Sequence, residues 1–174
     1  MKLLFVVLAL LLSRFAVPDP SFAPERSIDW VAQVQQAKQF QQEQLRKERI
    51  ETLLYVIRMI ESNNRYHVWG SSGEYGAYQF MPQTWHFYCS MFIGEYLDIR
   101  DAENQDLIAR TKISYYVDQG YNDKEIAAIW NSGSAKGWEN KIGVNSHGIH
   151  YNVPAYVCHF VSLVEEHNNQ VWKT

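Results

Sequence analysis

Between Ile50 and Glu61 the chain carries apolar side chains at the spacing of one helical face: Ile50, Leu53, Leu54, Ile57 and Ile60. That rhythm demands a buried helix, and so a core that other helices can pack against. The stripe then ends in an acid. Glu61 lies four residues beyond Ile57 and eight beyond Leu53, so it shares the buried face rather than the solvated one. Asn63 and Asn64, which tolerate left-handed backbone, end the helix. Elsewhere no stretch shows sustained two-residue alternation, strong hairpin chemistry or an internal repeat. The predicted class is all-α.

Other helices follow from start and stop signals. A loop with "GSSG" as its flexible part runs to about Gly76. Pro82 suits the first turn of a second helix. "DAENQDLIARTKISYYVDQG" predicts a helix from near Asp101 to Gly120, and Asn122 with Glu125 forms a capping box that opens "EIAAIWNSG". Residues 132–152, rich in Gly, Asn and His, read as a loop, and a last helix begins at Pro154. Upstream, residues 24–48 are polar and rich in Gln and Lys, with no Gly or Pro from Ser27 to Gln44. They predict an exposed leading helix or a partly ordered arm.

With 174 residues the chain suits one domain, residues 49–174, behind that arm. A formal charge of −3 offers no basic face for nucleic acid. Residues 1–23 read as a signal peptide: Lys2 is the positive end, Leu3–Leu12 the apolar segment, and Ser21-Phe22-Ala23 the cleavage site. Ten helical residues reach only ~15 Å, about half the hydrocarbon thickness, so the membrane would be met only through this segment. Pro24, awkward directly after a cleavage site, leaves an uncleaved anchor open. The expectation is an exported protein of the periplasm, cell envelope or medium. An oxidising compartment permits a bridge between Cys89 and Cys158, which in the chain-entropy account would stabilise by roughly 4 kcal/mol. Apolar neighbours on both sides equally allow two free thiols; the reading leans slightly to the bridge.

Glu61 also stands where a helix presents partial negative charge. Partial desolvation and that dipole both raise a carboxyl pKa, and a carboxyl still protonated near neutrality can donate a proton to a glycosidic oxygen. Position alone leaves a solvated helix-end glutamate the better reading. The neighbouring blocks change it. "IESNN", "SSGEYGAYQFMPQTW", "AAIWNSG" and "VPAYV" resemble, in order, the motif blocks of soluble lytic transglycosylase (SLT) domains over about residues 48–165. Four blocks in order make a specific signal where one would be weak. Ala77-Tyr78 stands where that family has Leu-Met, Trp130 where it has Tyr, and Ser132 where it has Ala, while the Glu-Ser pair is kept.

The resemblance implies a fold similar to goose-type lysozyme and cleavage of peptidoglycan between MurNAc and GlcNAc. Glu61 would first act as acid on the leaving oxygen. It would then act as base on the 6-hydroxyl of the same MurNAc, closing a 1,6-anhydro ring without water, a second carboxylate, a metal or a cofactor. Ser62 would orient the sugar or its N-acetyl group. Gln79 and Asn131 would bond amides and hydroxyls, or else tie loops. Gly76 would serve close backbone packing or glycan approach. Tyr156 would stand beside Glu61, or else be a core aromatic. Tyr78 and Trp130 would stack on sugars, with Trp85 more plausibly core.

Further residues have plainer readings. Glu74 is the one carboxylate placed to serve as a second acid, and otherwise a solvated loop residue. His147 and His150 have ligand-like spacing but no completing cluster. Asp98, Asp101, Glu103 and Asp106 predict a solvated helix start. Two rivals stand beside the lyase: a muramidase on the same fold, and a non-catalytic glycan-binding assembly protein. The Glu61-Ser62 pair speaks against the latter. Cell-wall remodelling for an envelope-spanning secretion or conjugation apparatus fits a lone domain of this kind, as do phage-encoded and autolytic roles.

Overall fold

The computed structural model describes residues 30–144 and 150–171. The chain divides into two compact units, Met1–Phe40 and Gln41–Thr174. In the first, the described residues 30–40 are helical and all exposed, including Val34 and Phe40. The signal segment expected over residues 1–23, and the start of the arm, lie outside the described residues.

Helix α1 runs Trp30–Ser62 and passes residue 48 without a break. Strong helix formers and the lack of Gly or Pro explain that continuity. Side chains are partly buried from Gln44 and Arg46 on, and Ile50, Leu53, Leu54, Val56 and Ile57 form the first wall of the core. Asn63 and Asn64, at φ 54° and 60°, end the helix in left-handed backbone as expected.

Helix α2 (Pro82–Phe92) starts on its proline. Helix α3 (Ala102–Asp118) is capped by Asp101, whose carboxylate accepts the Glu103 N–H at 2.8 Å. Helix α4 (Asp123–Ser132) carries the expected reciprocal capping box of Asn122 and Glu125, and left-handed Gly133 stops it. Helix α5 spans Val153–Val171. Trp85 and Cys89 of α2, Ile108, Ala109 and Ile113 of α3, Ile126 to Ala128 of α4, and Val153, Val157 and Phe160 of α5 close the core. Each large apolar side chain taken fully out of water is worth about 1.5–3 kcal/mol. The class is all-α.

Two expectations are corrected. The loop over residues 132–152 holds a short 3₁₀ turn, Trp138–Asn140, and an antiparallel ribbon of β1 (Ile142–Val144) with β2 (His150–Asn152). Strands of three residues are too short to print an alternation. Cys89 and Cys158 are not joined: Cys89 is buried in α2, and Cys158 lies exposed on α5. On α5 the buried stripe is Val153, Val157, Phe160 and Val164, and Cys158 falls one position off it.

Candidate functional site

The last turn of α1, the segment from Asn63 to Met81, and faces of α2, α3 and α4 enclose an open groove of about 970 Å³. Glu61 lines it from the end of α1. The Tyr156 hydroxyl, from α5, donates to Glu61 Oε1 at 2.7 Å. Burial pushes the Glu61 carboxyl above the usual carboxylate range, and Glu74 adds to this; Tyr156, Lys112 and the Trp130 side chain oppose it. Tyr156 is itself pushed well upward by burial and by the adjacent carboxylate, so it stays a donor. A half-buried acid at the end of an apolar stripe is thus held toward its protonated form and oriented by one hydroxyl.

Ser62 is buried, and its hydroxyl is already engaged. Oγ donates to the Ala77 carbonyl at 2.9 Å and accepts the Arg65 N–H at 3.0 Å. Ser62 lines the groove and also fastens it: its single hydroxyl proton is used on the backbone, which leaves the oxygen to a sugar only as an acceptor. Gly76 is needed for packing. It has φ +84°, its N–H donates to the Val68 carbonyl at 2.9 Å, and a methyl there would stand 2.6 Å from Gln105 Nε2. Gln105, fully buried on α3, accepts the Ala77 N–H at 2.8 Å and donates to Ile99 and Tyr66 carbonyls.

Gln79 lines the groove in left-handed backbone, φ 49°, with Nε2 donating to the Gly76 carbonyl at 2.7 Å. Its amide is thus partly a loop tie. Asn131 is exposed on the groove wall at the end of α4. Beside it Trp130 is half-buried, 5.4 Å from Phe80 between ring centres.

Tyr78 is corrected. Its ring is 1% exposed, so it has no face to offer a sugar. Its hydroxyl donates to Asp106 at 2.7 Å and accepts from Arg58 at 2.7 Å. Asp106 also accepts the Tyr66 hydroxyl at 2.8 Å. Asp106 is therefore a polar hub joining α1, the connecting segment and α3, not part of a solvated helix start. Trp85 is core, with its indole N–H on the Leu97 carbonyl at 2.8 Å. Glu74 lines the groove and accepts the Ser72 N–H at 2.9 Å. His150 lies on exposed β2, and His147 lies outside the described residues. Among the described residues no three His, Cys, Asp or Glu side chains gather to hold a metal.

Lys112 joins the groove without any motif to mark it. It sits on the stripe Ile108, Ala109, Ile113 of α3, is 4% exposed, and lines the groove. Its ammonium lies 4.0 Å from the Trp130 ring centre. The signal was there: a lysine at apolar spacing four residues after Ile108.

No family model matches the chain, and no curated protein matches it. Among solved structures, an inactive mutant of the lytic transglycosylase Slt from Pseudomonas aeruginosa is similar at 18% identity and a TM-score of 0.47. The match covers 69% of this chain and 22% of that one.

Proposed function

We propose that this chain is an exported peptidoglycan lytic transglycosylase with a lysozyme-like fold over residues 49–174 and Glu61 as its acid and base. One observation carries the reading: the Glu61 carboxyl, raised above its ordinary range by burial and held by Tyr156, opens onto the groove. A protonated Glu61 gives its proton to the GlcNAc oxygen as the bond from MurNAc C1 to that oxygen breaks. The resulting carboxylate takes the proton of the MurNAc 6-hydroxyl as O6 bonds to C1. The net result is one proton moved from O6 to the leaving oxygen, with no water consumed and Glu61 restored. Asn131, Gln79 and Trp130, all on the groove, are the side chains placed to receive sugar amides and a ring face.

Glu61→Gln keeps the shape but cannot protonate a leaving group, so turnover on purified peptidoglycan should fall by ~10²–10⁴. A fully active variant refutes the reading. The muramidase alternative has its own observation: Glu74 shares the groove and acts electrostatically on Glu61. Product mass separates the two, since anhydro ends are one water lighter than reducing ends. Export is tested by N-terminal sequencing of envelope-fraction protein, expected to begin at Pro24; an intact Met1 there supports an anchor.

A further inference from the structure

Lys112 is the least ordinary charge in the described fold. A lysine with 4% of its surface exposed has given up most of its water. In exchange it sits against ring faces from two helices, 4.0 Å from the Trp130 centre on α4 and 4.5 Å from that of Tyr88 on α2. Those rings fix where the ammonium can be, and it lies on the same groove as Glu61. Burial pulls Lys112 down to about 7, and the Glu61 carboxylate is what raises it. The effect is mutual, because Lys112 is among the groups that favour the ionised Glu61.

Other charged or titratable groups face this pair from each neighbouring element. Glu74 and Arg65 come from the segment after α1, the Tyr156 hydroxyl from α5, and the Tyr88 hydroxyl from α2. Arg65 is exposed, and its Nε donates to the Ser62 carbonyl at 2.7 Å. Tyr88 is held neutral, pushed upward chiefly by burial. Lys112 is therefore the buried basic group of the site, an ammonium below about 7.

We propose that Lys112 is a positioning residue for Glu61: its ammonium, clamped on the Trp130 face, stabilises the carboxylate that forms each time Glu61 releases its proton to the leaving oxygen. The inference rests on Glu61 being the catalytic acid. An ionised carboxylate left alone in a half-buried site is costly, and a fixed cation offsets that cost without reorganising during the reaction. Lys112 itself exchanges no proton with the sugar; protons travel only between Glu61 and the sugar oxygens.

Two titrations of the free protein test the coupling without any turnover. In Lys112→Met the ¹³C carboxyl signal of Glu61 should titrate at higher pH than in wild type, and in Lys112→Arg it should stay near wild type. Reciprocally, in Glu61→Gln the ε-carbon signal of Lys112 should titrate at lower pH, as linkage requires. On purified peptidoglycan, Lys112→Met should lower kcat about tenfold, leave KM nearly unchanged, and move the alkaline limb of the rate profile to higher pH. Lys112→Arg should recover most of the rate. An unmoved Glu61 titration in Lys112→Met, or an unmoved Lys112 titration in Glu61→Gln, overturns the proposal whatever the activity. So does a uniform loss of rate with an unmoved limb, which is what a packing role would give. If Lys112→Met does not fold, the Glu61→Gln titration decides alone. Coupled titrations in a protein that leaves peptidoglycan uncut refute the proposed function while the pair itself stands.

Discussion

Gly76→Ala is the sharpest test of how the groove floor is built. At φ +84° an L side chain is strained, costing about 1–2 kcal/mol. The added methyl would also stand 2.6 Å from Gln105 Nε2 and nearer still to its Oε1, so that side chain must leave its seat. Gln105 is fully buried and holds three backbone groups: Ala77 N–H at 2.8 Å, Ile99 carbonyl at 2.8 Å and Tyr66 carbonyl at 3.0 Å. Losing bonds of this kind costs about 1 kcal/mol each, and more where a buried group is left unpaired. The sum is about 4–6 kcal/mol, against a typical domain margin of about 5–15 kcal/mol. Urea unfolding followed by circular dichroism measures it. The clash also predicts non-additivity: with Gln105→Ala already in place, Gly76→Ala should cost only the backbone strain, because nothing remains to be displaced. A loss below about 1 kcal/mol, or two substitutions that simply add, would refute this account.

Tyr156→Phe removes the hydroxyl that favours ionised Glu61, so Glu61 should rise further. The rate is lost as pH rises through that pKa, so the alkaline limb should move to higher pH; an unmoved limb in a pH-rate profile counts against the hydrogen bond. Both cysteines should be alkylatable in protein recovered from the envelope, Cys158 in the native state and buried Cys89 only on unfolding. Non-reducing mass analysis that finds no free thiol would restore the bridge.

What the sequence disclosed depended on range. Pro82, Asp101 and the Asn122–Glu125 pair act within a few residues of themselves, and the helix starts they mark are where the structure has them. The buried face on which Glu61 stands was legible for the same reason, since three turns of its own helix declare it, but choosing Glu61 as the acid needed the motif resemblance. Tyr156 beside Glu61 was reached only through the motif resemblance, because 95 residues separate them. The failures are long-range. Tyr78 looks like a groove aromatic until the turn from Gly76 to Phe80, with Gln79 left-handed, buries its ring and hands its hydroxyl to Asp106. Asp106 looks solvated until Arg58, Tyr66 and Tyr78 converge on it from segments distant in sequence. Lys112 looks solvated because it is charged, although its spacing places it among buried residues.

The two pins that hold the segment after α1 against α3 are neighbours in sequence: Gln105 seats the Ala77 N–H and the Tyr66 carbonyl, and Asp106 seats the Tyr66 and Tyr78 hydroxyls. Two of the ties that shape the surroundings of Glu61 from that side thus sit on one turn of one helix, beside the Ser62 hydroxyl on the Ala77 carbonyl. The stretch between Trp69 and Glu74 lies outside those pins, at the rim, with Ser71 and Ser72 exposed. Rewriting Ser71 and Ser72 there changes the rim and leaves the pins intact, whereas Gly70, packed against Gln79 and Glu74, and Glu74, which acts on Glu61, tie the ends of the stretch to the acid. On the proposed reading, those two serines are where a lineage could retune what the groove accepts without touching the acid.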